Sequence, residues 1–328
     1  MFITFIIADV IVIIVLLGLV LSFFKADSED KPSVKFSFLN ETYKTFASDI
    51  KEQMESNETE GKKKKEKKKK ELNANAKRVY ILNFKGGVFA EEVEKLREEI
   101  TAVMLVARSG LDEVIIKIDS PGGMVSAYGL VATELHRIRN RAIKVTAVVD
   151  RVAASGGYMV ACVADRIVAA PFAYIGSVGV VSEFPNFNSL LNKVGVDWKT
   201  YTAGESKRDV GQYGKITPDA EKRHNKKLKE IHLLFKKHIH QYRKNVDLSK
   251  IATGECWTGQ EALDLKLVDE LGVSDDIIME QIKWANVYKV HTPDNRDVID
   301  KVLGSVTGAV MVQVKAWIFN INTEKLMQ

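Results

Sequence analysis

The sequence predicts an α/β domain built on a parallel sheet, and three observations predict it. Short runs rich in Val and Ile, at residues 79–84, 114–118, 145–149, 167–169 and 178–181, are apolar at successive positions, as strands are when helices cover both faces of a sheet. Between them, residues 91–107, 125–139 and 156–164 carry helical spacing. The order therefore reads β-α-β-α-β-α-β, in which helical crossovers join parallel strands.

With 46% hydrophobic residues and 6 prolines in 328, the chain can bury a sizeable core, which excludes a mainly disordered protein. Residues 1–24 are almost wholly apolar, with Asp9 as the single charge. At ~1.5 Å per residue they can cross a ~30 Å hydrocarbon core. No basic n-region or A-x-A-like site marks a cleaved signal peptide, so a retained transmembrane helix in a lipid bilayer is expected. Lys25, Lys31 and Lys35 follow this helix and no Lys or Arg precedes it, which by the positive-inside rule directs the following chain to the cytoplasm.

Residues 25–78 read as a charged linker. Its run at 62–71 holds eight lysines and two glutamates, a net +6 against +5 for the whole chain, so the basic balance is local. A solvated, self-repelling tether is the expectation, with attraction to anionic lipid headgroups as the alternative. No aromatic residue is interleaved to stack on bases, and nucleic acid is not an expected partner.

The main domain is expected over residues 79–290. Within it, residues 220–245 form a basic helix whose Leu228, Ile231, Leu234, Phe235 and Ile239 make one apolar stripe facing the core. His224, His232, His238 and His240 lie there without an H-E-x-x-H pattern, so neither a metal nor any other cofactor is expected. Cys162 and Cys256 have no ligand-like spacing; Cys162, in an apolar run, is expected to be a buried structural thiol. Residues 291–328 form an amphipathic extension, with a helix at 297–312 suited to core or subunit packing.

Three stretches carry chemistry. VAASGGYMVA at 152–161 places Ser155 between small residues, after a buried strand and at the head of a helix. The unpaired N–H groups there suit an oxyanion developing beside a nucleophilic serine, although a serine in that place also serves as an ordinary helix cap. DSPGG at 119–123 follows a strand, where a parallel sheet presents ligand loops and glycines let backbone N–H groups approach a carbonyl; a turn needing positive φ would read the same. A serine needs a proton acceptor, yet no G-x-S-x-G elbow is present and His136 and the other histidines avoid the strand-end loops. A lysine kept neutral by burial can serve instead.

Taken together, S-P-G-G, A-S-G-G-Y, G-S-V-G-V and G-E-S-K resemble the motifs of the signal peptide peptidase A family of serine peptidases, most nearly its SohB branch, over residues 79–271. The resemblance implies a crotonase-like spiral of β-α-β units, shared with the Clp protease subunit and preceded here by the N-terminal transmembrane helix. It implies Ser155 as nucleophile, Lys207 as general base 52 residues on, Ser177 as the group that orients the lysine, and the amides of Gly123 and Gly156 as the oxyanion hole. Peptide substrates such as signal-peptide remnants, an acyl-enzyme intermediate and a closed homo-oligomer follow from the same relation. So does an inner-membrane location with the catalytic domain in the periplasm, opposite to the charge rule. Ser206 departs from the pattern, since an aromatic residue often precedes the lysine. Two other classes compete: a crotonase-type acyl-CoA enzyme, which would need a carboxylate pair in the pocket, and a membrane scaffold with a decayed site.

Overall fold

In this computed structural model, residues 34–56, 76–204 and 207–293 are described, and Phe36–His291 forms one compact unit. The apolar runs become strands β2 (Arg78–Lys85), β3 (Glu113–Asp119), β4 (Lys144–Val149) and β6 (Arg166–Ala169). β1 (Lys35–Phe38), β9 (Glu270–Leu271) and β10 (Asn286–His291) complete a seven-stranded sheet in the order β1-β10-β2-β3-β4-β6-β9. From β10 across to β9 every neighbouring pair is parallel. Mixed α/β architecture around a parallel sheet is what the sequence predicts.

Both faces of the central strands are dry. Val79, Ile81, Ile115, Val148 and Val168 meet Ile277, Ile278, Ala285 and Val287 in one buried cluster. Their alternates Tyr80, Leu82 and Ile116 are buried as well, because side chains of successive strand residues point to opposite faces. Helices α2 (Val93–Val106) and α3 (Val125–Asn140) pack on the sheet through Leu96, Ile100 and Val103 and through Val131, Leu135 and Ile138.

A second, three-stranded sheet carries the positions of chemical interest. It consists of β5 (Val152–Ala154), β7 (Tyr174–Gly176) and β8 (Cys256–Thr258), with β5 and β7 parallel and β7 and β8 antiparallel. Ser120, one residue past β3, pairs with Ala153, so the end of the large sheet lies alongside the small one. The bridge is closed by Ser120 N donating to Val152 O (2.9 Å) and Ala154 N donating to Ser120 O (3.1 Å).

Several expectations are corrected. Residues 178–181 are not a strand: the extended segment is β7, just before them, and it ends where Gly176 and Ser177 take φ of 109° and 51°. Residues 25–78 are not linker throughout, because β1 and helix α1 (Leu39–Ser56) fold within them. Leu39 and Tyr43 pack on the buried cluster, and Asn40 donates to Ile282 O and Ala285 O while accepting from Val287 N. Beyond a short helix, α5 (Asn188–Lys193), lies the basic helix α6 (Pro218–Tyr242), in which Phe235 and Ile239 are buried but Leu234 is 63% exposed, so the packed stripe is narrower than expected. The expected membrane segment 1–24, the lysine run 62–71 and the helix at 297–312 lie outside the described residues. Among the described residues, no helix is long and apolar enough to cross a membrane.

Candidate active site

Ser155 stands between β5 and α4 (Gly156–Ala161), with φ 50° and ψ −118°. That backbone region is costly for any residue with a Cβ, on the order of 1–3 kcal/mol, and persists only where the surroundings impose it. They do so here from both sides: Ser155 N donates to Gly176 O (2.7 Å), and Ser155 O accepts from Met159 N (3.0 Å). The side chain makes no capping bond to its own helix and is half-buried, so the hydroxyl is not consumed by the N-cap role.

The parallel register places Ala154 beside Gly176, and hence Ser155 and Ser177 one step beyond on neighbouring strand ends. Both serines have positive φ, 50° and 51°. Ser177 is half-buried and held by its own N–H donating to Glu255 O (2.6 Å), the residue before β8. The two hydroxyl-bearing residues expected from the sequence are thus brought together, at the carboxyl ends of adjacent strands where α/β proteins place ligands.

The DSPGG turn closes against them. Gly122 has φ 94°, and a Cβ built on it would lie 2.6 Å from Gly156 N and 2.7 Å from Ser155 Cβ. Only glycine fits both the angle and that contact. A Cβ on Gly123 would meet Val88 O at 2.2 Å, and one on Gly156 would meet Tyr128 Cγ at 2.4 Å. Among the described residues, the Gly123 and Gly156 amides have no hydrogen-bond acceptor. The Gly156 amide follows Ser155 directly and Gly123 adjoins the turn packed on Ser155, an arrangement that can stabilise negative charge on a carbonyl oxygen.

Lys207 is placed differently. It is exposed, in a stretch without regular structure ahead of α6, with its N–H donating to Gly204 O (3.2 Å). Among the described residues, no hydrogen bond or ion pair joins its side chain to Ser155 or Ser177. The burial expected of a catalytic lysine is therefore not supplied among the described residues. Two residues on, the segment is tied down: Asp209 accepts from Arg223 Nε (2.7 Å) and Lys227 Nζ (3.2 Å) of α6. The Arg223 bond holds the Asp209 carboxyl below the usual carboxylate range.

Tyr128, which the sequence does not single out, and residues to which it assigns no place at the site complete the surroundings. Tyr128 and Ser120, both fully buried, sit beneath the glycine turn and Gly156. The helix histidines prove to be ties: His232 Nε2 bonds Val178 O (3.2 Å) and His238 Nε2 bonds Met159 O (2.9 Å), fastening α6 to the chain after Ser177 and to α4, the helix after Ser155. Burial holds the His238 imidazole below its ordinary value. Cys162 is fully buried behind the same helix, and burial pushes its thiol far up, which makes it inert.

The sequence matches peptidase family S49 over residues 137–288 and the peptidase family S49 N-terminal region over residues 1–135. A Haemophilus influenzae protein named "Probable protease SohB" is 49% identical over 223 residues, covering 68% of this chain and 63% of its own. Two proteins of the same name from Buchnera aphidicola are also similar. The one from subspecies Acyrthosiphon pisum is 43% identical, covering 72% and 70% of the two chains. The one from subspecies Schizaphis graminum is 40% identical, covering 83% and 82%. A mutant of the 1510-N membrane-bound stomatin-specific protease superposes with a TM-score of 0.42 at 17% identity, over 63% of this chain and 84% of that one.

Proposed function

This chain belongs to peptidase family S49 and is a SohB-like serine peptidase, and from that premise we propose that Ser155 is its nucleophile and Lys207 its general base. The observation that carries the reading is the strained Ser155, with no capping bond from its side chain, near two glycine amides that have no acceptor among the described residues. Ser155 Oγ attacks the scissile carbonyl carbon as its proton passes to the neutral Lys207 amine, which Ser177 orients. The carbonyl oxygen becomes an oxyanion between the Gly123 and Gly156 amides. Collapse of the tetrahedral species breaks the C–N bond, and Lys207 returns the proton to the leaving amine. Water then repeats the sequence on the Ser155 ester and releases the acid.

An ammonium has no lone pair, so Lys207 acts only where water is excluded from it. A second copy of this chain is the proposed cover. Exposed apolar residues on the stretch leading to Lys207 support it: Val194, Val196, Trp198 and Tyr201, the last 89% exposed. The working enzyme in this reading is a closed homo-oligomer on the crotonase-like spiral, anchored to the inner membrane by residues 1–24, with its catalytic domain in the periplasm. Its substrates are membrane-associated peptides such as signal-peptide remnants. Hydrolysis of a fluorogenic peptide by the full chain tests the dyad. Ser155→Ala and Lys207→Ala are each expected to abolish turnover, and Lys207→Arg to be nearly as damaging because a guanidinium does not give up its proton. Full activity in any of the three overturns the assignment.

A further inference from the structure

Beneath the site runs a chain of hydrogen bonds whose direction is determined by counting protons. Tyr128 Oη donates to Gly87 O (2.7 Å), which uses its only proton. Ser120 Oγ lies 2.5 Å from Tyr128 Oη and must therefore be the donor of that bond. Its lone pair then accepts from Gly122 N (3.1 Å). The sequence Gly122 N–H to Ser120 O–H to Tyr128 O–H to Gly87 C=O is unidirectional, and both hydroxyl side chains are fully buried. A buried chain with every link made strengthens each bond and resists rotation of either hydroxyl.

Both of its ends lie on the Gly123 side of the proposed oxyanion hole, and the Tyr128 ring reaches the Gly156 side. On one side the Gly122 amide is held by Ser120 and the Met124 amide by Val88 O (2.8 Å), one residue past Gly87. The Gly123 amide lies between two committed neighbours and has no acceptor of its own among the described residues. On the other side the Tyr128 ring is pressed against Gly156, where a Cβ would be 2.4 Å from Cγ. We propose that Tyr128, with Ser120, is a positioning residue that sets the spacing and aim of the Gly123 and Gly156 amides. The hydroxyl chain acts on the first amide and the ring on the second. Burial pushes the Tyr128 phenol up, so the link to Gly87 O keeps its proton in alkaline solution.

This inference rests on the Ser155 reading, and the test separates the two. Tyr128→Phe removes the chain and keeps the ring; Ser120→Ala cuts it one link earlier. In the full-length protein each is expected to lower kcat for a fluorogenic peptide by about 10-fold with KM within about 2-fold, since positioning is felt in the transition state. Inhibition by a peptide aldehyde, whose adduct carries the oxyanion, weakens in parallel. The double variant is no worse than the worse single one, because both cut one chain. Unchanged kcat in Tyr128→Phe, losses that multiply in the double variant, or a loss confined to KM overturns the proposal. If Tyr128→Phe does not fold, Ser120→Ala decides by the kcat and aldehyde criteria. Activity surviving in Ser155→Ala marks the failure of the nucleophile reading itself; an inactive Ser155→Ala beside a fully active Tyr128→Phe marks the failure of this inference alone.

Discussion

Gly156→Ala adds one methyl group where α4, the helix after Ser155, begins, and the structure sets what that methyl meets. Its Cβ would lie 2.4 Å from Tyr128 Cγ and 2.7 and 2.8 Å from the two Cδ atoms, against 3.4 Å for ordinary contact, so about 1 Å must be found. The ring cannot supply it by swinging, because Tyr128 is fully buried and its hydroxyl is bonded to Ser120 and Gly87. The head of α4 must move instead, and the Gly156 amide with it. Overpacking of this size costs about 1–3 kcal/mol of stability. A donor displaced by about 1 Å costs on the order of 10²-fold in rate. Peptide hydrolysis by the full-length variant, with a thermal melt of the same sample, reads both. The expected result is a modestly lowered melting temperature and kcat down about 10²-fold. A variant that melts early but turns over within about 3-fold of the parent would refute the reasoning, since the clash would then relax without touching the oxyanion position.

Three further outcomes are expected. Ser155→Gly should be more stable than Ser155→Ala by about 1 kcal/mol, because glycine relieves the φ 50° strain and returns part of the gain as chain entropy; equal denaturation midpoints would show that the strain is not stored there. Asp112 accepts from Arg78 N, Arg108 N and the Arg108 guanidinium; burial acts to raise its carboxyl, and the Arg108 and Arg78 bonds with the Arg108 charge together hold it below the usual range. That stability is present above the unfolded carboxyl's value of ~3.9 and is lost as pH falls through the lower folded value. Asp112→Ala should therefore cost about 3 kcal/mol at neutral pH, with the gap to the parent closing in acid, and a gap independent of pH would contradict the pairing. Iodoacetamide on the native protein should label the exposed Cys256 and spare Cys162 until denaturant is added, as read by peptide mass mapping; early labelling of Cys162 would contradict its burial.

What was legible in the sequence follows from how each element is stabilised. β2, β3, β4 and β6 are buried on both faces, so their Val and Ile runs stand out. The small sheet was missed because β5, β7 and β8 have three residues each, too few for a pattern, and are held by register with one another. The strand signal at Val178, Val180 and Val181 was misplaced by the turn at Gly176 and Ser177, which an apolar count does not register. α1 is charged along most of its length and docks through Leu39, Asn40 and Tyr43, which a charge-based reading takes for linker. At the site, small residues around Ser155 and the glycine pairs were legible because close backbone approach requires them. Tyr128 and Ser120 were not, since a tyrosine in an amphipathic helix looks like any core residue until its hydroxyl partners are seen. Lys207 stands out in the sequence only through its motif, and its exposure among the described residues has no signal in residue types.

The central claim, that Ser155 is the nucleophile, is tested most directly by covalent capture. A fluorophosphonate probe incubated with the native full-length protein, followed by proteolysis and mass mapping, is expected to place one adduct on Ser155 and to lose it in Ser155→Ala. An adduct on another residue that survives in Ser155→Ala, together with retained peptide hydrolysis, would contradict the account.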